Sequence, residues 1–382
     1  MKLILRGSIV LGKAFPYSIY DRNGVLLYCQ GSVISMSDQV NRLVGRGAQY
    51  NEHETPLADS GQAGAHRHAL LAQDEPSSFE SLNGLILNLK HALFTAIKNP
   101  EQIDVSARFM KIAQSVQDIC QVDIDSALAA PCLDSFNPYI VVHQMMGAVL
   151  TEIIAQGRGL TSEQRLSLIC AALTRDMGQM PMQAELDRQV GSLSEQLASR
   201  MRQHPVQSVE FLVRAGVTDR SWLQAVRGHH ERLNGGGYPG ALNEEQISMG
   251  AKILAVADTY SAMVKPLAYR TNALVSQATL KEIYQKRDTE FDGENARILI
   301  TKIGLLPPGT LVKLKCGEVA VIKSPTVKAA GATVYSIYGK TGVVLMEPVR
   351  RETTHPGYEI TGLVPYAECR TAAVMIKRVW AN

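Results

Sequence analysis

Residues 228–240 read GHHERLNGGGYPG, so two adjacent histidines, His229 and His230, and a glutamate run straight into three glycines, a tyrosine and a proline. Imidazole is the commonest protein metal ligand, and a glycine-rich turn lets backbone approach a ligand closely. Neither a core helix nor an ordinary surface loop requires the two together. Four more polar residues fall where the helical period points inward. Asp176 comes one turn after Leu173, at the end of the stripe Leu166, Ile169, Cys170 and Leu173, and Asp258 follows Ala251 and Leu254 in GAKILAVADTYSAM. His143 lies in YIVVHQMMGAVL, and His204 follows Leu193, Leu197 and Met201 just ahead of Pro205, which is expected to end that helix. One inward histidine is most simply a hydrogen-bonded core residue. Four imidazoles and two carboxylates together need partners, and a shared metal would satisfy them all at once. Such donors suit iron, manganese or zinc. A bridging aspartate is what a two-metal hydrolase needs to activate water for attack at phosphorus.

These residues need a helical frame, and the periodicity supplies one. Leu82, Leu85, Ile86, Leu89 and Leu93 repeat at three and four, and a second helix is expected after Pro100. Residues 137–303 read as almost entirely helical, with start signals in which Thr161 precedes Gln164, and Ser192 precedes Glu195, by three. Before this block, YSIYDRNGVLLY places a turn-forming Asp21-Arg22-Asn23-Gly24 between two apolar runs, a hairpin signal. Residues 51–78 are polar and Gly/Pro-punctuated, a linker; His66 and His68 lie there two apart, a spacing that does not share a helical face. After Leu306-Pro307-Pro308-Gly309, alternating β-branched and polar residues between glycines predict a small antiparallel module, barrel-like in its strand spacing. The expected organisation is an N-terminal module and linker over 1–78, helices over 79–136, the helical block over 137–303 and a β domain over 304–382.

Composition narrows the function classes. The 382 residues carry a net charge of +3, too little to argue for nucleic acid, and no basic run has interleaved aromatics. Only residues 304–382 are clearly basic, with 10 Lys and Arg against 5 Asp and Glu, a solvated face. No apolar run approaches the ~20 residues that span a bilayer, and Arg6 and Gly7 interrupt any signal core, so a cytoplasmic protein without a membrane role is expected. Six scattered cysteines without a CxxC pair fit reduced, structural thiols.

HHERLNGGGYPG resembles the HHExxDGxGYP signature of HD-GYP proteins, phosphodiesterases of the bacterial messenger cyclic di-GMP within the helical HD superfamily. The resemblance covers about residues 137–303 and includes the order of the pieces: His143, the step Arg175-Asp176-Met177-Gly178, His204-Pro205, the histidine–GYP loop, and Ala257-Asp258 to Ala262. It implies a mainly α, HD-type helical bundle, flanked here by an N-terminal α+β module and a small C-terminal β domain. It also implies a bacterial signal-transduction protein. One metal would use Asp176, His204, His229 and His230; the other would use His143, a second histidine, Asp176 and Asp258. Gly237, Tyr238, Pro239 and Arg270 would contact the nucleotide, and Asp176 would be the catalytic residue. Cyclic di-GMP is the implied ligand, with other signalling proteins and a second copy of the chain as candidate partners.

The sequence departs from the pattern where function is decided. The family's eponymous histidine is Arg175 here, and guanidinium stays protonated and cannot ligate a metal. Arg175 could reach Asp176 and Asp258 and supply positive charge in place of one cation, and two like unit charges ~4 Å apart cost about 4 kcal/mol at an effective dielectric of ~20. One ion at most is therefore expected. Gln179 stands where a phosphate-binding Lys or Arg is usual, Asn234 replaces the Asp of "DG", Ser261 the second Asp of "DxxD", and Leu267 an Arg. Tyr139 stands where some members carry a third-metal Glu. The expectation is a degenerate member that binds cyclic di-GMP or partner proteins with little or no hydrolysis. The alternatives are an active, metal-dependent cyclic di-GMP phosphodiesterase with a remodelled site, and a scaffold that binds neither metal nor nucleotide.

Overall fold

The computed structural model describes residues 2–4, 9, 15–20, 26–28, 30, 43, 44 and 48–50 of the N-terminal region, and residues 76–382 save 103, 187, 189–193, 265–274, 326–330, 381 and 382. The chain divides into two units, Met1–Gln73 and Asp74–Asn382. His66, His68, Cys29, Ser192, Leu267, Tyr269 and Arg270 lie outside the described residues.

The first unit is a small antiparallel sheet of β1 (Lys2–Leu3), β2 (Ile19–Tyr20), β3 (Leu26–Tyr28) and β4 (Gln49–Tyr50), in the order β1-β4-β2-β3. The strands flanking the expected turn pair, with Ile19 opposite Tyr28; the turn itself, Asp21 to Gly24, lies outside the described residues. Ile4, Ile9, Phe15, Ile19, Leu43 and Ala48 form its core.

In the second unit α1 (Ser78–Lys98) begins at Ser77, whose side chain and that of Glu80 cap each other's backbone, and it buries Leu82, Leu85, Ile86, Leu89 and Leu93 as the period predicts. It is followed by α2 (Val105–Val122) and α3 (Ile124–Leu133). The central helix α4 (Tyr139–Gly157) is buried on every side from Ile140 to Ala155. It is long and apolar enough to cross a bilayer by composition, contrary to the expectation that no such run exists, but 89% of its apolar window is buried inside the protein. Around it run α5 (Ser162–Thr174), a 3-10 segment (Met177–Met182), the short α6 (Gln183–Leu186), α7 (Glu195–Arg214), α8 (Arg220–Gly228), α9 (Met249–Val264), α10 (Val275–Gln285) and α11 (Gly293–Ile303). Thr161 and Gln164 form the predicted capping box of α5. The cap of α7 is Ser194, which accepts from Leu197 N, rather than Ser192.

The C-terminal strands β5 (Leu311–Leu314), β6 (Val319–Ser324), β7 (Thr333–Tyr338), β8 (Val344–Glu352) and β9 (Ile360–Leu363) form one antiparallel sheet in the order β8-β7-β6-β5-β9. Its edges, β8 and β9, do not pair with each other among the described residues, so the sheet is open where a barrel was expected. Alternation explains why closure is not needed: Leu311, Val321 and Ile337 join the helical core, while Val312, Ala320, Ile322 and Val334 make a second core on the other face. A 3-10 turn (Tyr366–Ala372) and α12 (Ala373–Arg378), not expected from the sequence, return the chain to α1, where Trp380 stacks on Phe79 at 5.3 Å between ring centroids.

Candidate metal and nucleotide site

The helix α5 ends at Thr174, and the chain turns at Arg175 and Asp176 into the 3-10 segment. Thr174 anchors the turn. Its hydroxyl donates to Cys170 O at 2.7 Å and accepts from the Trp222 indole N–H at 2.8 Å. Gly178 is required by close approach, because a Cβ there would lie 2.4 Å from His204 O and 2.8 Å from Ser208 N. Ser208 completes the clamp, accepting from Gly178 N at 2.8 Å and donating to Arg175 O at 2.6 Å.

That clamp aims Arg175 inward, where its side chain is 1% exposed. Nε donates to Asp258 Oδ1 at 2.8 Å and lies 3.5 Å from Asp176 Oδ2. Nη1 donates to Ala172 O at 2.6 Å; Nη2 donates to His143 Nε2 at 2.8 Å, His143 O at 3.2 Å and Ser261 Oγ at 3.4 Å. A guanidinium nitrogen only donates, so His143 Nε2 is an acceptor. The close approach of His143 Nε2 to Asp258 Oδ1, 3.0 Å, is then a pair of lone pairs turned toward one cation. Burial would raise Asp258 and Asp176, but the Arg175 charge together with the surrounding imidazoles outweighs it and holds both carboxyls well below the ordinary range. Burial would also lower Arg175, and the two aspartates instead push it up.

The second cluster is made of imidazoles. The sequence predicted that Pro205 would stop its helix; α7 instead runs through it to Arg214. Proline lacks the N–H that would have bonded the carbonyl four residues back. That carbonyl, Met201 O, accepts from His204 Nδ1 at 2.6 Å, which turns His204 Nε2 toward the site. His229 is fixed the same way, Nδ1 to Val226 O at 2.6 Å, and burial lowers its pKa, keeping the ring neutral. The two Nε2 atoms face each other at 3.2 Å, with Asp176 Oδ1 at 3.3 and 3.7 Å. Burial, with His229 beside it, also drives His230 well below its ordinary value. Ligand atoms of His204, His229 and His230 lie within 4.8 Å of one another, as do those of His143, Asp176 and Asp258. Acceptors converging without a donor between them fit a divalent transition metal held by His204, His229, His230 and Asp176. In the His143, Asp176 and Asp258 group, Arg175 occupies the position between the donors.

The glycine loop lies over the imidazoles. Tyr238 stacks on His230, with ring centroids 4.6 Å apart, and its N–H donates to His230 O at 3.2 Å. Burial, and then Asp258 and Asp176, push its phenol upward. Glu231 holds the loop: its buried carboxylate accepts from Gly240 N at 2.6 Å and Leu242 N at 3.0 Å. Gly237 has no room for a side chain, since a Cβ would sit 2.4 Å from Arg232 N. Asn234 serves the turn, accepting from Gly236 N at 2.9 Å. Gln179 donates to Gln183 at 3.1 Å rather than standing free for a phosphate. Tyr139 stacks on His143 at 5.3 Å.

The six residues named as metal ligands thus converge, and Gly237, Tyr238 and Pro239 border them in the same loop; Arg270 lies outside the described residues. Sequence reasoning missed the structural work of Glu231, Ser208 and Trp222. The "E" of HHE was a usable signal for Glu231; Ser208 carried none, because its partners are 30 and 33 residues away.

Residues 128–294 match a family model described as an HD domain. The chain is 26% identical over 184 residues, 48% of its length and 48% of the relative's, to "Cyclic di-GMP phosphodiesterase PdeB" of Borreliella burgdorferi. It is 33% identical over 144 residues, 37% of each chain, to "Cyclic di-GMP phosphodiesterase response regulator RpfG" of Xanthomonas campestris pv. campestris. The matches span about half the length of the first of these curated relatives, or less. Among solved structures, Bd1817, a HDG"Y"P protein from Bdellovibrio bacteriovorus, aligns with a TM-score of 0.49 and 14% identity, over 78% of this chain and 97% of its own.

Proposed function

We propose that the chain is a signalling protein of the HD-GYP kind that binds cyclic di-GMP with little or no hydrolysis, a reading supported by the match of residues 128–294 to an HD domain. The observation that carries the reading is the Arg175 guanidinium among the donors of His143, Asp176 and Asp258, 2.8 Å from Asp258. One divalent ion, iron, manganese or zinc, would be held by His204, His229, His230 and Asp176; when bound, it would supply a Lewis acid toward a phosphate oxygen. The protein's own groups do the rest. Tyr238, beside the imidazoles, offers a ring for a guanine base, Gly237 keeps the backbone close, and Pro239 completes the contacts of this loop. Arg175 neutralises the buried carboxylates without offering a metal-ligating atom. A second reading, a working phosphodiesterase with Asp176 orienting water, is favoured by one observation, the cluster of His204, His229 and His230 with Asp176 against the first two.

The test is calorimetric titration of cyclic di-GMP, paired with a turnover assay in Mn²⁺ or Fe²⁺. Binding without turnover is expected, with affinity lost by 10-fold or more in Tyr238→Ala, about what one stacked aromatic–base contact contributes. Brisk turnover by the wild type, abolished in Asp176→Ala, sinks the non-hydrolytic reading.

A further inference from the structure

We infer that Gly147 is a positioning residue: it reserves the volume that seats Arg175 as the internal cation of the buried carboxylate site. The importance given to that seat rests on the reading proposed above; the seating itself rests on geometry alone. Gly147 lies in the interior of α4, a position where glycine is a poor helix former and alanine the best. It is absent from the positive-φ glycines, so no backbone conformation requires it. A Cβ at 147 would stand 2.5 Å from Arg175 Nη1 and 2.9 Å from both Cζ and Nη2, and these are its three nearest atoms. The guanidinium cannot step aside cheaply. It is held from α5 by Ala172 O, from α4 by His143 O and Nε2, and from α9 by Asp258 and Ser261. Arginine at the HD step, serine at 261 and glycine at 147 are therefore parts of one seat, and only the glycine contributes by having no side chain.

Thermal midpoints of the full chain separate this from ordinary packing. The wild type, Gly147→Ala, Arg175→His and the double variant are compared by circular dichroism after identical chelator treatment. Gly147→Ala is expected to lower the midpoint of the wild type by several degrees, yet to leave unchanged or raise that of Arg175→His, where the obstruction is gone and the better helix former remains. Should Arg175→His fail to fold, Arg175→Met provides the same comparison. As a second readout, Gly147→Ala alone is expected to bind more manganese per chain than the wild type, because the displaced guanidinium no longer fills the seat. Equal losses of midpoint in both backgrounds overturn the inference, as does unchanged manganese in Gly147→Ala when Arg175→His gains an ion. If Arg175→His itself gains none, the charge-replacement reading fails, while a reversal of the midpoint shift still supports the seating.

Discussion

Replacing Arg175 with histidine should change how many metal ions the chain holds. In the wild type, the guanidinium Nε is 2.8 Å from Asp258 Oδ1 and 3.5 Å from Asp176 Oδ2, and Nη2 is 2.8 Å from His143 Nε2. Even at a separation of ~4 Å, the repulsion between charges of one and two at an effective dielectric of ~20 is about 8 kcal/mol. At 1.4 kcal/mol per tenfold, that weakens binding on the order of 10⁵- to 10⁶-fold, enough to turn a micromolar site into one that does not fill. Histidine removes the charge and adds an imidazole, the ligand type borderline metals favour. Elemental analysis after saturation with manganese and desalting is therefore expected to give one ion per chain for the wild type and two for Arg175→His. Paramagnetic resonance offers an independent reading, an isolated manganese spectrum in the first and a coupled pair in the second. Two ions in the wild type, with Arg175 still at its carboxylates, would refute the electrostatic reasoning.

Two other outcomes are expected away from the metal donors. Glu318 accepts from Arg351 Nε at 3.0 Å, Arg351 Nη2 at 3.2 Å and Ser336 Oγ at 2.7 Å, and the Arg351 hydrogen bonds foremost hold its carboxyl below the ordinary value against the opposing effect of burial. A depressed carboxyl stabilises the fold fully above its unfolded pKa, about 4.3, and loses that contribution as pH falls through the folded value. Urea unfolding should thus show the wild type ahead of Glu318→Gln at pH 7 and the gap closing below about pH 4; a gap that widens with acid would contradict this sign. Trp222→Phe keeps the aromatic bulk but removes the donor to Thr174. A loss of about 1 kcal/mol in unfolding free energy is expected, the net contribution of one such hydrogen bond, and an unchanged midpoint would show that the Thr174 anchor carries no weight.

The site was more legible in the sequence than the frame that holds it. His143, His204, His229, His230, Asp176 and Asp258 could be found because each is a polar residue where the helical period points inward, and a period is a local signal. What stayed hidden depends on contacts between distant segments. Nothing near Gly147 announces that Arg175, 28 positions on, will need its space, and nothing near Glu231 shows that its carboxylate closes the loop at Gly240 and Leu242. Pro205 misled for a related reason: the local rule ends a helix there, but packing of α7 against the 3-10 segment holds it together, and a side chain takes up the released carbonyl. The C-terminal helix was missed because ECRTAAVMIKRVW is short and weakly periodic, and what anchors it, the stacking of Trp380 on Phe79, spans 301 positions.

The rung missing from α7 at Pro205 reaches further than helix geometry. With Met201 O bound to Nδ1 of His204, the main chain itself dictates which nitrogen of that ring keeps its hydrogen and which offers electrons to whatever arrives. A residue able to donate at 205 would compete for the same oxygen and release the ring to tautomerise. The protonation pattern of one imidazole is in this sense encoded by the amino acid that follows it, and stays set for as long as the helix does.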